Sequence, residues 1–206
     1  MVVSERLRSD FARAVTLLQA GELVAFPTDT VYGVGAIVWD PAAVSKLYLA
    51  KLRPADKAIP VLLSDSSDIA LVSRDPSPGA LRLAETFWPG PLTLVVPRSP
   101  EVPDEVTAGS ETLAVRVPGH DLARALIRAV GAPLATTSAN LSGQPSPVTA
   151  QDVEAQLSGR VATILDGGLC PGGIPSTIVD LTGPSPRLLR LGPIALDDIL
   201  SALRSP

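Results

Sequence analysis

An α/β fold, a single domain around a twisted mixed sheet of parallel and antiparallel strands with flanking helices, is what the sequence predicts, and three observations carry it. The chain has 206 residues, 46% of them hydrophobic. At that length a fold buries roughly 70% of the surface its unfolded chain exposes, with no need of disulfides or a structural metal. Strand-like and helix-like patterns alternate along the chain. Their order is irregular and interrupted by 21 prolines, which suits a mixed sheet better than a strict strand-helix-strand repeat. Neither an internal repeat nor a linker is visible, so residues 1–206 are read as one domain.

The elements follow from local signals. Asp10 can cap a helix whose apolar face is Phe11, Val15 and Leu18, with Gly21 at the left-handed position after its end. Residues 22–26 read as a strand, and 27–33 as a polar loop rich in hydroxyls. Asp40-Pro41 starts a second helix, a cap followed by proline in the first turn, which must end before Pro54 and delivers Lys51 and Arg53 to its C-terminus. Strands are expected over 59–63, 92–97, 112–117, 133–137, 161–165, 176–180 and 187–191, and helices over 80–87, 121–130 and 195–203. Thr149 and Asp152 make a capping-box-like start for a helix that runs to about Leu157. The segment 166–175 contains Gly167, Gly168, Gly172 and Gly173. That composition predicts a mobile loop, either a lid or a plain connection.

Several function classes are excluded at this stage. Cys170 is the only cysteine and His120 the only histidine, so zinc hydrolysis and histidine-based triads have no residues to work with. The opening from Met1 to Phe11 interrupts its apolar residues with Glu5, Arg6, Arg8 and Asp10, unlike a signal peptide. No span reaches the ~20 apolar residues that cross a bilayer. A cytoplasmic protein with no membrane partner is expected. A net charge of -4 argues against a general nucleic-acid binder, which carries a basic excess to neutralise phosphates.

Familiar nucleotide motifs fail too. No Gly-Lys-Ser/Thr closes a phosphate loop, Gly33-Val34-Gly35 has Val38 where a dinucleotide fingerprint needs glycine, and there is no Gly-x-Ser-x-Gly elbow. What remains are cations and hydroxyls at strand and helix ends: Lys51, Arg53 and Lys57 in one cluster, Arg116 and Arg190 in apolar strands, and Thr136, Thr137 and Ser138 at a strand end. Each has a plain alternative. A helix C-terminus attracts cations through its dipole, Arg116 could lie on an exposed strand face, and threonines favour strands. Together they describe a pocket rich in anion-binding donors and poor in acids and bases, which suits phosphoryl or nucleotidyl transfer.

The same residues resemble a known family. Phe26-Pro27-Thr28-Asp29-Thr30-Val31-Tyr32-Gly33, Lys51-Leu52-Arg53-Pro54, Trp88-Pro89-Gly90-Pro91-Leu92-Thr93, Val115-Arg116-Val117-Pro118, Thr137-Ser138-Ala139-Asn140-Leu141-Ser142-Gly143 and Ser176-Thr177-Ile178-Val179-Asp180 occur in the order of a YrdC-like domain. The resemblance runs from about Ala14 to Pro193. It is to the L-threonylcarbamoyladenylate synthases, in their short single-domain form. These enzymes supply the intermediate for threonylcarbamoyl modification of adenosine 37 in tRNA.

The resemblance implies L-threonine, bicarbonate or carbon dioxide, and ATP as substrates, with Mg²⁺ bound through phosphate oxygens rather than protein side chains. It puts threonine near Thr30, Arg116, Thr136 and Ser176, with Leu62 lining the site where the family often has histidine. It puts ATP near Arg53, Lys57, Thr112, Ser138, Ser146 and Arg190, with Lys51 and Asn140 completing the KxR and SxN signatures and Lys51 and Arg53 acting on the phosphates. A downstream tRNA threonylcarbamoyl transferase complex is the implied partner, with weak or indirect tRNA contact. The alternative from another class is an RNA-binding paralogue without synthase activity. Net charge and the scarcity of aromatic residues, 3% of the chain, count against it.

Overall fold

Alternate residues of a strand face opposite sides of a sheet, and that rule divides the core of this protein in two. The protein's computed structural model describes residues 5–204; the parts of the opening-segment and single-domain expectations that fall on 1–4 and 205–206 lie outside them. Its strands are β1 (Val24–Phe26), β2 (Gly33–Ile37), β3 (Val61–Leu62), β4 (Leu92–Pro97), β5 (Thr112–Arg116), β6 (Leu134–Ser138), β7 (Thr163–Ile164), β8 (Thr177–Asp180) and β9 (Arg187–Arg190). Among the described residues they form one nine-stranded sheet in the order β7-β1-β2-β6-β3-β5-β4-β8-β9. β1 with β7, β3 with β5, and β4 with β8 run parallel. The remaining neighbours are antiparallel, as the mixed-sheet expectation requires.

The helices are α1 (Glu5–Gln19), α2 (Pro41–Lys51), α3 (Ile69–Val72), α4 (Pro78–Phe87), α5 (Asp104–Thr107), α6 (Asp121–Val130), α7 (Ala150–Leu157) and α8 (Leu196–Arg204). Ala25, Val34, Val61, Leu94, Val96, Val115 and Val179 point to one face of the sheet and join a large cluster with Leu47 of α2, Leu83 of α4 and Ile199 of α8. Val24, Phe26, Leu62 and Leu134 point to the other, against Leu18 of α1 and Leu126 and Ile127 of α6. Those two helices cover the sheet only from β1 to β3, over β1, β2, β6 and β3. On β5, β4 and β8 the residues of the same parity (Thr112, Ala114 and Arg116; Thr93 and Val95; Ile178 and Asp180) line an open cavity instead.

Local signals account for most boundaries. Asp40 caps α2, accepting from the Ala43 amide at 3.0 Å, with Pro41 in the first turn. The helix ends at Leu52, which takes a left-handed φ of 52° while the Arg53 amide returns to the Tyr48 carbonyl at 2.9 Å. The expected capping box is present on α7. Thr149 Oγ1 accepts from the Asp152 amide at 3.1 Å, and the Asp152 carboxylate accepts from the Thr149 amide at 3.0 Å.

Other elements differ from the sequence reading. α1 begins at Glu5, so Asp10 sits inside the helix rather than capping it; Leu7 continues the Phe11, Val15, Leu18 stripe one turn upstream and packs on the same cluster. α4 starts at Pro78 under a Ser77 cap, 3.2 Å from the Ala80 amide. The short helices α3 and α5 were not expected. Nor was β2, whose glycines lower its strand propensity. A Cβ at Gly33 would lie 2.7 Å from the Thr136 side chain and one at Gly35 3.0 Å from its hydroxyl, so close packing on β6 selects glycine at both.

Leu94 is fully buried at the centre of β4. Leu94→Ala is expected to cost about 2–5 kcal/mol, read as a lower urea midpoint with unchanged slope. A loss below about 1 kcal/mol would mean that this strand is not the packed centre described.

Candidate functional site

The uncovered part of the sheet forms the floor of a cavity of about 510 Å³. Its walls come from the loop after β1, the end of α2, the loop after β6 and the strand pair β8–β9. The first of these loops is shaped by a hydroxyl: Thr28 Oγ1 donates to the Val31 carbonyl at 2.7 Å and accepts from the Thr30 amide at 3.1 Å. That turn puts Asp29 and Thr30 against Arg116. The arginine donates through Nε to the Gly90 carbonyl at 2.9 Å, through Nη1 to Thr30 Oγ1 at 3.0 Å, and through Nη2 to the Asp29 carboxylate. Each Nη keeps a second N–H for a ligand.

Arg116 is therefore not on an exposed strand face; its side chain is 7% exposed. Burial pulls its pKa down, and the Asp29 carboxylate opposes that pull. Nearby, Arg190 donates to the Ser176 carbonyl at 2.9 Å and to its hydroxyl at 3.2 Å, while the Ser176 and Thr93 hydroxyls share a bond of 2.7 Å. Arg53 is held at the rim by the Lys57 carbonyl at 3.1 Å and the Ala58 carbonyl at 2.8 Å. Burial lowers the pKa of Arg53 and of Arg190.

Thr30, Leu62, Arg116, Thr136 and Ser176 all line this cavity, and so do Arg53, Thr112, Ser138, Ser146 and Arg190. Lys51, Lys57 and Asn140 do not. Lys51 is 1% exposed, and its ammonium donates to the carbonyls of Ser138 and Asn140 and, at 3.4 Å, to Asn140 Oδ1. Asn140 turns its amide to the carbonyls of Leu141 at 2.8 Å and Gln144 at 2.7 Å. The KxR and SxN signatures thus meet each other beneath the wall, with only Arg53 and Ser138 reaching the cavity. Burial, and then the charge of Arg53, push Lys51 down to about 7. Lys57 is exposed and meets the rest through its carbonyl oxygen, which accepts from Arg53.

Sequence reasoning missed several residues of the site. Asp29 stands out in the sequence only as part of a motif, although it is the carboxylate partner of Arg116. Thr93, buried at 2% exposure, shares the cavity face with Val95; strand alternation from Arg116 through Ala114 to Thr112 carries the same signal. Asp180 and Arg187 also line the cavity and pair with each other at 2.9 Å; Thr137, one of the strand-end hydroxyls expected in the pocket, lines it as well. The glycine-rich segment 166–175 is a fastened strap, with its Cys170, Gly172 and Gly173 amides bonded to the carbonyls of Val148, Asp29 and Thr30 at 2.9, 3.1 and 2.9 Å.

Residues 16–192 match the Sua5/YciO/YrdC family model, which carries the description "Telomere recombination". The chain is 46% identical over 189 residues to a threonylcarbamoyl-AMP synthase of Bacillus subtilis, covering 91% of this chain and 55% of that protein. It is 43% identical over 186 residues to one of Pyrococcus abyssi, covering 90% and 55%. A crystal structure of P. abyssi Sua5 complexed with L-threonine superimposes with a TM-score of 0.91 at 42% identity, over 93% of this chain and 56% of that one. The chain spans about half the length of these relatives. Matched over most of its length in sequence and in fold, it belongs to the Sua5/YciO/YrdC family.

Proposed function

We propose that the protein makes L-threonylcarbamoyladenylate from L-threonine, bicarbonate or carbon dioxide, and ATP, by adenylyl transfer with release of pyrophosphate. One observation carries the reading: a single cavity collects every residue assigned to the amino acid together with Arg53, Thr112, Ser138, Ser146 and Arg190 from the ATP set. The names of the relatives support it, as does the L-threonine in the Sua5 crystal structure.

The chemistry asks for cations, hydroxyls and exclusion of water rather than an enzyme nucleophile. The amine of threonine attacks the carbon of carbon dioxide and loses a proton, giving a carbamate. A carbamate oxygen then attacks the α-phosphorus of ATP, and the bond to the bridging oxygen breaks as pyrophosphate leaves. Arg116 receives the threonine carboxylate on its remaining N–H donors, and the hydroxyls of Thr30, Thr136 and Ser176 orient the amine and side chain. Arg53 and Arg190 offset the charge of the triphosphate, with Ser138, Ser146 and Thr112 as hydrogen-bonding partners. Lys51 and Asn140 act from beneath, holding the loop that presents Ser138. Lys57 meets the distal phosphates only if its exposed side chain swings inward.

Mg²⁺ enters with ATP in this reading. The carboxylates closest to the site, Asp29 and Asp180, are paired with Arg116 and Arg187, so the donor set fits a metal carried on phosphate oxygens. Its charge screens the triphosphate as pyrophosphate departs. No helix among the described residues is long and apolar enough to cross a membrane, and we place the reaction in the cytoplasm. There its product, an activated acyl adenylate, passes to a tRNA threonylcarbamoyl transferase complex.

Pyrophosphate release is expected only when L-threonine, bicarbonate, ATP and Mg²⁺ are all present. Turnover without threonine, or none with the full set, sinks the reading. Arg116→Lys keeps the charge and loses the planar fork. It should weaken threonine binding by about 1.5–3 kcal/mol and leave ATP affinity within about twofold, by calorimetric titration of each ligand. A loss confined to ATP would put Arg116 on the phosphates. Lys51 and Arg53 should separate by readout. Lys51→Met strands buried acceptors and should cost at least about 2 kcal/mol of stability in urea. Arg53→Ala should leave stability nearly unchanged and cut turnover by about a hundredfold, ~2.7 kcal/mol. Equal stability of both variants would contradict the buried placement of Lys51.

A further inference from the structure

Tyr32 is the largest fully buried side chain of the core, and the chemistry above gives it no task. Its backbone already joins two parts of the site. The Tyr32 amide donates to the Pro147 carbonyl at 2.9 Å, next to Ser146, and its carbonyl accepts from the Ala139 amide at 2.8 Å, between Ser138 and Asn140. Its phenol reaches a third. The hydroxyl donates to the Gly168 carbonyl at 2.8 Å, with the Asp166 carboxylate 3.3 Å away as a second acceptor, and accepts from the Gly167 amide at 3.3 Å. Burial raises the phenol's pKa, against the lowering effect of the Gly167 amide, so the donor proton stays in place at physiological pH.

The phenol thus fastens one end of the strap 166–175, and the other end holds the amino-acid side of the cavity. Gly172 and Gly173 donate to the carbonyls of Asp29 and Thr30, the two residues whose side chains engage the Arg116 guanidinium. Glycine is required at that junction: a Cβ at Gly172 would lie 2.5 Å from the Asp29 carbonyl oxygen and 3.1 Å from the Thr30 Cα. Most strap side chains are exposed, so little apolar burial holds the segment and its few hydrogen bonds decide where it sits.

We propose that Tyr32 is a positioning residue for the threonine end of the site, acting through the strap: its phenol holds the strap, the strap holds Asp29 and Thr30, and these aim Arg116. The proposal rests on the assignment of this cavity to L-threonine and ATP. It separates two affinities that a general loss of packing would lower together.

Tyr32→Phe keeps the ring and both backbone bonds and removes only the phenol. Hydrogen exchange followed by mass spectrometry should show the strap amides of 166–175 exchanging at least about tenfold faster than in the wild type, with β4 unchanged. L-Threonine, titrated alone, should bind at least about fivefold more weakly and ATP within about twofold of wild type. Gly172→Ala disturbs the far end of the strap with the phenol intact and should reproduce the loss of threonine affinity. If Tyr32→Phe proves unfolded, Asp166→Ala, which removes the carboxylate partner of the phenol with the ring in place, carries the test, and unchanged strap exchange there overturns the proposal. Unchanged strap exchange in Tyr32→Phe overturns the proposal, as does faster exchange with wild-type threonine affinity. A wild-type protein that fails to bind threonine at all refutes the assignment of the cavity instead, and the exchange measurement still decides whether the phenol holds the strap.

Discussion

A guanidinium buried in the middle of a sheet dictates much of what surrounds it. Moving the charge of Arg116 out of water costs several kcal/mol, and the structure offsets that by supplying an acceptor to each of its three nitrogens. Gly90 gives a carbonyl from the loop before β4, Thr30 a hydroxyl and Asp29 a carboxylate. Each of these is itself fixed, Thr30 and Asp29 by the Thr28 turn and by the strap amides. Removing one partner of such a buried pair is worth about 3–5 kcal/mol, so the first loop has little freedom to drift. A ligand carboxylate arriving here finds an oriented fork, and the ordering entropy has already been spent in folding.

The position of the cavity has an equally simple cause. α1 and α6 cover one face of the sheet over β1, β2, β6 and β3 and stop there, while α2, α4 and α8 line the opposite face. The strands β5, β4 and β8 continue past that cover with small or polar residues at the exposed parity, such as Thr93, Thr112 and Ala114. A half-covered sheet would normally expose an apolar surface. Here hydroxyls and arginines stand among aliphatic side chains such as Val95 and Ile178, and the same surface becomes an apolar floor with fixed polar groups set into it.

Where a local rule is complete, the sequence is readable residue by residue. The Thr149–Asp152 box, the Asp40-Pro41 start and the left-handed Gly21 after α1 need no partner to be recognised. β2 was invisible because its glycines answer to Thr136 on a strand 100 residues later, a reason that no local window contains. The face chosen by Arg116 is ambiguous for the same cause: alternation gives the parity, and only where α1 and α6 stop says whether that parity is covered or left open as a pocket. The KxR signature was legible as a cation cluster but not as one cation facing the cavity and one buried, since Leu52's left-handed turn separates them. Composition shows the four glycines of the strap but not its fastenings, because the carbonyls of Asp29, Thr30 and Val148 that its amides meet lie far away in the chain.

The pairing order of the sheet also sets when this protein becomes itself. β1 lies between β2 and β7, with Val24 opposite Thr163, and β4 lies between β5 and β8, with Leu92 opposite Thr177. Such long-range pairings close late and slow folding. During synthesis the first strand therefore waits, with one edge unpaired, until Thr163 and Ile164 have left the ribosome. The arginine that completes the cavity wall, Arg190, emerges later still. Nascent chains therefore carry half-paired apolar strands until β7 and β8 emerge, and the cavity has all of its walls only once β8 and β9 have joined the sheet.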